Sequence, residues 1–562
     1  MKPNQDKPLT LPNALHSHMG RARLRRAVTR FLGRTPVLGD FSGERDRPGR
    51  IRRRPADGTP RGRQVHPLVG NLCDSLAIPG GARNRISFPL GLAAILLALA
   101  GCAAGPNYHP PKTSVAPAFA QGATTNYTTN NPVAAWWEIF NDPVLNRLVS
   151  QAVVSNLDLR MATANLLQAR ALRLGAKADA LPVITANASR TDQELSRAAT
   201  FGFPVPDRRE RIYEAGFDAT WELDFFGRVR REVESSTAQL QAAEASLRDV
   251  QVTLVSEVAR NYFELRGAQN ELAVQRRNAD NQQQTLRITQ SRRDAGGGTE
   301  LDVARAQAQW NNTLAELPAL QSSVTHAIHR LGVLSGRPPA ALQEELQTPA
   351  PIPALPVSIA IGDPETLLRR RPDIRVAERN LESTTAKIGV ATSSLFPRVT
   401  FNGNLDLQAM TISGLNGPAS DTWSFGPSIS WALLDLGHVR SAIKAAHFQA
   451  DAQLAQYEKT VLTSLEETEN ALADFGQDQA RGGYLAESVK ASRRAAELAH
   501  ERYDSGATDF LAVLDADRVA LEAEDQLAQT QTQTAVALVA LYKALDGGWL
   551  PPPPPAPTSK AP

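Results

Sequence analysis

Hydrophobic and polar residues alternate one by one along four segments of the chain. In one of these segments Tyr213, Phe217 and Trp221 fall in the apolar set, whereas Asp218 and Glu222 fall in the polar set. A period of two residues predicts β-strands with one apolar face. The predicted strands cover about residues 183–198, 211–225, 398–410 and 423–435.

The polar faces of these strands carry carboxylates and amides, which a packed core would reject. One face toward lipid and one toward a water-filled lumen is the pattern of a membrane β-barrel. An ordinary antiparallel sheet with one solvated face is the alternative interpretation. Membrane barrels begin at about eight strands, and open sheet edges are not tolerated in lipid. We therefore expect other copies of the chain to complete the sheet, and three subunits would supply about twelve strands.

A long segment without proline follows each strand pair. The first runs from about Arg228 to Arg292, and these 65 residues would span on the order of 100 Å as a helix with a rise of ~1.5 Å per residue. Small or apolar residues recur in both segments at heptad spacing, which predicts coiled-coil packing. The predicted seams are Leu240, Ala243, Leu247, Val250, Leu254 and Val258, then Ala450, Leu454, Tyr457, Val461, Thr468 and Phe475. Glycine-containing turns at 294–299 and 504–508 are expected to end these helices and to form the tips of two helical hairpins.

The two halves of the chain repeat one pattern. Asp158 matches Asp373 at an offset of 215 residues, and Trp221 matches Trp431 at an offset of 210. We predict two tandem units of mixed α and β structure, each with a helix, a β-hairpin, a long helix and a further helix. The predicted segments are 102–141 at the N-terminal side, repeat one at 142–336, a Pro-rich linker at 337–364, repeat two at 365–545 and a Pro-rich tail at 546–562.

An apolar run at residues 86–101 follows Arg83 and Arg85. It is shorter than the ~20 residues of a membrane helix, and it predicts a secretory signal over 84–101. Its last residues, Leu99-Ala100-Gly101-Cys102, resemble the lipobox of bacterial lipoproteins. That resemblance implies a diacylglycerol and an N-acyl chain on Cys102, while Ala103 in the next position favours the outer membrane. The alternative is an apolar stretch that ends in cysteine by chance.

Charge separates residues 1–83 from the remainder. That segment holds 15 Arg and 2 Lys against 6 acidic residues, although the whole chain carries only +3. We expect a disordered leader or a translation start placed too far upstream; a nucleic-acid-binding tail is the alternative, and it conflicts with export.

Few residues suggest chemistry. With Cys73 and Cys102 as the only cysteines, a disulfide framework and a cysteine metal site are both excluded. Phosphate-loop, zinc-protease and serine-hydrolase motifs are absent from the sequence. His326 and His329 are spaced for one helix face, but no third ligand lies near them in the sequence, so a metal there is the less favoured interpretation. We predict no catalytic residue, no metal and no cofactor.

The order of these features resembles the TolC-like outer-membrane factor family, in its NodT-type lipoprotein branch. The residues that carry the resemblance are the lipobox, Trp221-Glu-Leu-Asp-Phe-Phe-Gly227, Trp431-Ala-Leu-Leu-Asp-Leu-Gly437, Arg502-Tyr-Asp-Ser-Gly506 and Leu511-Ala-Val-Leu-Asp-Ala516, within about residues 99–548. It implies a homotrimer with a twelve-stranded β-barrel in the outer membrane and a periplasmic α-barrel with an equatorial belt. The implied function is the duct of a tripartite efflux system, which receives drugs or other toxic solutes from a proton-driven inner-membrane pump through a periplasmic adaptor. A duct for type I protein secretion and a lipid-anchored periplasmic enzyme are the alternatives.

The resemblance also implies roles for residues at the hairpin tips. Leu511 and Asp515 match a leucine and an aspartate that narrow the periplasmic entrance, and their i, i+4 spacing places both on one helix face. A solvated helix face is the alternative for Asp515. Arg502 and Tyr503 match positions that latch neighbouring helices. The tips are implied to contact the adaptor through Gly296, Thr299, Gly506 and Thr508.

Overall fold

A computed structural model describes residues 103–113, 115–122, 127–130, 133–196, 209–356 and 358–545. The predicted leader, the signal, Cys102 and the Pro-rich tail lie outside these residues. The described residues form both helices and strands. The helices are α1 (Pro143–Ser155), α2 (Leu157–Ala178), α3 (Arg228–Asp294), α4 (Glu300–Leu334), α5 (Gln343–Leu346), α6 (Pro364–Arg370), α7 (Pro372–Ser393), α8 (Leu436–Asp504) and α9 (Phe510–Ala544). The strands are β1 (Tyr127–Thr128), β2 (Val183–Glu194), β3 (Arg209–Leu223), β4 (Ile359–Ala360), β5 (Arg398–Ala409) and β6 (Asp421–Ser430).

Two helices are far longer than the rest. Helix α3 has 67 residues and α8 has 69 residues, so at ~1.5 Å per residue each spans on the order of 100 Å. Helix α3 packs along α4, and α8 packs along α9. Among the described residues, no helix combines the length and the apolar character needed to cross a membrane.

The predicted seam of α3 is partly wrong. Leu254 and Val258 are buried, but Leu240, Ala243, Leu247 and Val250 are only partly buried. The buried stripe near the start of α3 consists of small residues instead: Ser235, Ala238, Ala242 and Ala245. Small side chains bring this part of α3 close to α7, where the hydroxyl groups of Ser235 and Ser383 lie 2.9 Å apart. In α8 the prediction is closer, since all its seam residues except Leu454 are buried.

The main hydrophobic core lies midway along the long helices. It brings Phe263 of α3 and Phe475 of α8 together with Trp136 from the N-terminal segment, and all three side chains are fully buried. The Trp136 indole stacks on the ring of Tyr542 with centroids 5.0 Å apart. The neighbouring Trp137 is also buried.

The N-terminal segment and the linker meet beside this core. Strand β1 pairs in parallel with β4, with Tyr127 opposite Ile359. The linker at 337–364 is not plain coil, because it contains a 3-10 turn at Pro339–Leu342 and helix α5 in addition to β4.

The four longer strands form one antiparallel sheet in the order β2-β3-β5-β6. All four strands end earlier than predicted. Strand β2 ends at Glu194 rather than 198, β3 at Leu223 rather than 225, β5 at Ala409 rather than 410, and β6 at Ser430 rather than 435. After Ser430 the run Trp431-Ala-Leu-Leu434 remains apolar, but it forms turns that lead into α8. The prediction from apolar composition therefore extended β6 beyond its observed end.

Candidate functional site

One face of the sheet is apolar and open to the outside across three strands. Phe217, Leu405 and Trp423 lie side by side in register. Their exposed fractions are 57%, 56% and 64%. Exposed apolar surface that continues across neighbouring strands marks contact with a partner or with lipid. A second row, Trp221 and Phe401 beside Pro427, extends the same face toward the ends of the strands.

The opposite face of the sheet is polar and hydrogen-bonded. Asn187 donates to Asp218, Ser424 donates to Asn404, and the Asn404 amide donates to Asp406 over 2.7 Å. Gly216 makes room for Asp406, since a Cβ at Gly216 would lie 2.1 Å from an oxygen of that carboxylate. This face suits water, and the apolar face does not.

The sheet ends in two matching tryptophan contacts. Trp221 Nε1 donates to the carbonyl of Ala180 over 3.0 Å, and Trp431 Nε1 donates to the carbonyl of Leu395 over 3.1 Å. Each carbonyl belongs to the turn between a helix and the first strand of a hairpin. Both rings are still 40% exposed or more, which is the arrangement of aromatic side chains at a membrane–water boundary.

The far ends of the long helices form the two hairpin tips. Gly296 and Gly506 have positive φ angles of 80° and 73°, a backbone conformation that glycine adopts without strain. Thr299 caps α4 in a capping box with Asp302. The corresponding cap of α9 is Asp509, whose side chain accepts from the Ala512 amide, whereas Thr508 precedes the cap. Asp509 was not predicted from the sequence, although it stands 210 residues after Thr299, the offset of the repeat.

A small apolar cluster holds the two tips together within one chain. Leu286 of α3, Val303 of α4 and Val513 of α9 are buried in it, and Phe510 packs against the ring of Tyr503 with centroids 5.4 Å apart. These contacts join all four helix ends without help from another molecule.

Arg292 adds a polar link between the same tips. Its guanidinium carbon lies 4.1 Å from the centroid of the Tyr503 ring. One nitrogen donates to the Tyr503 carbonyl over 3.0 Å, and another pairs with the Asp504 carboxylate over 3.0 Å. Sequence reasoning did not single out Arg292. Arg502, which is its counterpart at the repeat offset of 210, forms no ion pair with any described residue; its latch role stays a prediction.

Leu511 and Asp515 point away from the tip cluster. Leu511 is 52% exposed although its neighbour Phe510 is buried. The Asp515 carboxylate is 66% exposed and pairs with Arg518 over 2.8 Å, and Arg518 pairs in turn with Glu522 over 2.8 Å. The stripe at 511, 515, 518 and 522 is therefore an exposed helix face with one apolar position and a ladder of charges. The structure places Leu511 and Asp515 on the same helix face, as predicted. Their gate role stays a prediction.

No enzyme-like centre was found in the part of the chain that the structure describes. Groups of three or more His, Cys, Asp or Glu side chains placed for a metal ion do not occur there. The His326 ring contacts Ser322, one turn earlier on the same helix, over 3.4 Å.

Long helical hairpins joined to an exposed two-faced sheet define a class of membrane channel. The solved structure of the outer-membrane channel OprN matches this chain with a TM-score of 0.75 and 44% identity, over 80% of this chain and 100% of that one. The resemblance to outer-membrane factors is confirmed by this match.

The chain belongs to the outer membrane efflux protein family, whose model matches residues 148–337 and 364–547. Nodulation protein T of Rhizobium leguminosarum bv. trifolii is 32% identical over 461 residues, which cover 81% of this chain and 96% of that protein. The solvent efflux pump outer membrane protein SrpC of Pseudomonas putida is 32% identical over 463 residues, covering 81% and 97%. The protein is therefore an outer-membrane efflux channel component and not an enzyme.

Proposed function

We propose that three copies of the chain form a continuous duct from the periplasm through the outer membrane. Three four-stranded sheets would close into one twelve-stranded barrel, and the long helices would form a periplasmic α-barrel beneath it. The observation that carries this proposal is the sheet itself, whose apolar face is open and whose outer strands β2 and β6 each pair along one side only within the described residues.

Physical chemistry favours this assembly over an isolated sheet. Unpaired strand edges are costly in lipid, and exposed apolar side chains are costly in water, so the isolated sheet suits neither environment. Pairing β6 of one copy with β2 of the next removes both edges, and lipid then covers the apolar face. The polar face lines the lumen, where Asp218, Asn404 and Asp406 stay hydrated.

The duct would serve a tripartite efflux system. One observation supports this: relatives such as SrpC are named as outer membrane proteins of a solvent efflux pump. The driving force would come from a proton-driven inner-membrane pump, connected through a periplasmic adaptor. The substrates would be drugs, solvents or other toxic solutes, and no cofactor is needed.

The hairpin tips would receive the adaptor. A Cβ added at Gly296 or at Gly506 would meet no atom within 4 Å, so both turns are open to a partner. Thr299 and Thr508 flank these turns. Adaptor binding would break the latches that Arg502 and Tyr503 form between neighbouring helices. The constriction formed by rings of Leu511 and Asp515 would then widen. A ring of leucine closes by packing and dewetting, and a ring of aspartate favours cations.

Lipidation of Cys102 would add an anchor in the outer membrane. Each buried methylene contributes roughly 0.8 kcal/mol, so several acyl chains give stable anchoring. The acyl groups would act beside the barrel rather than replace it.

Charge placed on either face of the sheet tests the proposal. Leu405→Arg would put a cation on the lipid face and cost about 2–4 kcal/mol per copy. Asn404→Arg, one residue away, would put the same cation on the polar face, beside Asp406 and Asp218. In a strain that lacks the gene, we expect the Asn404 variant to restore resistance to toxic solutes and the Leu405 variant to remain outside the outer-membrane fraction. Equal assembly of both variants would contradict a lipid-facing sheet.

A further inference from the structure

Residues 103–107, which we call the strap, lie at one end of the sheet. They contact the start of α3 and the last part of α7. The Ala104 amide donates to the carbonyl of Phe226 over 3.0 Å, three residues after β3 ends. A Cβ at Gly227, whose φ is 81°, would lie 2.6 Å from the Cα of Ala103. The strap is thus pressed against the junction between β3 and α3.

A buried arginine holds this strap. Arg231, in the first turn of α3, is only 4% exposed. Its guanidinium donates to the carbonyls of Ala104 and Gly105 over 3.0 and 3.2 Å, and to the side-chain oxygen of Asn107 over 2.8 Å. Its remaining nitrogen pairs with Glu234 over 2.7 Å. A buried guanidinium stays charged, so losing one of these acceptors would leave an unpaired donor in a dry site.

Two glycines allow the strap to approach this closely. Gly105 has a φ of 86°, and a Cβ there would lie 2.5 Å from the Cα of Gly389 in α7. A Cβ at Gly389 would lie 2.7 Å from both the Ala104 carbonyl oxygen and the Arg231 Cγ. The strap, α3 and α7 therefore meet at a contact that side chains larger than glycine would prevent.

This contact lies level with the end of the sheet. Phe226, from the β3–α3 junction, stacks on Phe396, from the α7–β5 junction, with centroids 4.7 Å apart. The exposed rings of Trp221 and Trp431 mark the same end of the sheet. Ala103 is bonded directly to Cys102, so an acyl group on that cysteine is tethered one residue from the contact.

We propose that Arg231 is a positioning residue for the lipid anchor. It fixes residues 103–107 so that acyl chains on Cys102 enter the bilayer at the strand ends, level with the tryptophan rings. Because the strap contacts α3 and α7, anchoring it in the bilayer also fixes the position of these helices and of the two β-hairpins joined to them. The inference rests on the proposed lipidation of Cys102.

We call the hydrogen bonds from Arg231 to the strap the clamp. Hydrogen exchange on the full mature chain tests the clamp independently of the lipid. We expect Arg231→Gln to speed exchange of the Ala104 amide at least tenfold. Gly389→Ala should do the same, because the added methyl group displaces the strap and leaves the charge in place. The matched control is Arg260→Gln. Arg260 pairs with Glu257 and Glu264 of its own helix, so its loss should leave that amide unchanged. Unchanged exchange in both strap variants would overturn the clamp.

A second measurement links the clamp to the anchor. The yield of channel in the outer membrane is compared for Cys102→Ser, carrying a signal without a lipobox, in the wild-type and in the Arg231→Gln background. We expect removal of the acyl group to lower the yield several-fold with Arg231 present and to have little further effect without it.

Palmitate labelling of the wild-type chain separates the two possible failures. Absence of label would overturn the lipidation, and the positioning role with it. Label on Cys102 together with equal losses of yield in both backgrounds would overturn the positioning role alone.

Discussion

The guanidinium of Arg292 lies 4.1 Å from the centre of the Tyr503 ring, and it ties the tip of α3 to the tip of α8. The two residues are 211 positions apart in the chain. Arg292 also bonds the Tyr503 carbonyl and the Asp504 carboxylate, so one side chain holds three groups of the other tip.

Loss of this link should loosen the periplasmic end. We expect Arg292→Gln to raise the single-channel conductance of the purified channel, because the charge-assisted bonds to α8 and the cation–π contact are removed together. The matched control is Arg293→Gln, since Arg293 pairs with Asp294 and Glu300 of its own hairpin. If the two variants had the same conductance as the wild type, the link would not restrict the channel.

The proposed constriction predicts a second change in conductance. Leu511→Ala combined with Asp515→Ala should increase conductance and weaken the preference for cations, because an apolar ring and a ring of carboxylates are both removed. Leu301→Ala is the control: Leu301 precedes Leu511 by the repeat offset of 210 and has a similar exposed fraction, 57% against 52%. An unchanged conductance in the double variant would rule out this constriction.

A histidine links α8 to α9 near the tips and should make stability depend on pH. His500 Nε2 lies 3.0 Å from the Asp517 carboxylate, and this hydrogen bond raises the pKa of His500 above its ordinary 6.5. Because the folded-state pKa is raised, the contribution is complete below pH 6.5 and is lost as the pH rises through the raised pKa.

The effect is measured by melting temperature between pH 5.5 and pH 8. His500→Gln should reduce the acid-side stability by roughly 0.3–1 kcal/mol, since the pair is partly exposed. His438→Gln, which removes an exposed contact with Asp435 at the start of α8, should not. An identical pH profile in all three proteins would disprove the contribution.

A partly buried carboxyl on α3 should make the stability fall as the pH rises, which is the opposite of the effect of most acidic residues. Burial raises the pKa of Glu271 to about 7, and the charge of Asp525 acts in the same sense. The unfolded chain ionises first, near pH 4.5, so stability falls as the pH rises from there to about 7.

Glu271→Gln removes that loss. We expect the variant to be more stable than the wild type by about 1–2 kcal/mol at pH 8, after allowance for partial exposure, and the gain should shrink toward pH 5. Glu316→Gln, on an exposed position of α4, should change little. A gain that did not vary with pH would show that ionisation is not its cause.

Much of the fold follows from local patterns in the sequence. The alternation of apolar and polar residues predicted all four strands of the sheet. The long segments without proline predicted α3 and α8. The predicted ends were less accurate, because the apolar run after Trp431 continues past the last strand hydrogen bond. The seam of α3 was partly wrong for a related reason: heptad spacing fits several faces of an alanine-rich helix, and the close approach of α7 selects Ser235 and Ala238 rather than Leu240.

Long-range contacts could not be predicted in the same way. Nothing in the residues near Arg292 indicates a partner 211 positions later, and the four acceptors of Arg231 include three in a strap more than 120 residues earlier. The repeat offset of 210 does indicate equivalent positions at the two tips, since it relates Thr299 to Asp509 and Arg292 to Arg502.

The central claim is that one chain supplies one third of the pore. Native mass spectrometry of the detergent-extracted protein, on the same sample that conducts in planar bilayers, tests it most directly. The account predicts a mass of three mature chains in the conducting sample and no conductance from single chains. A conducting species with the mass of one chain would contradict it.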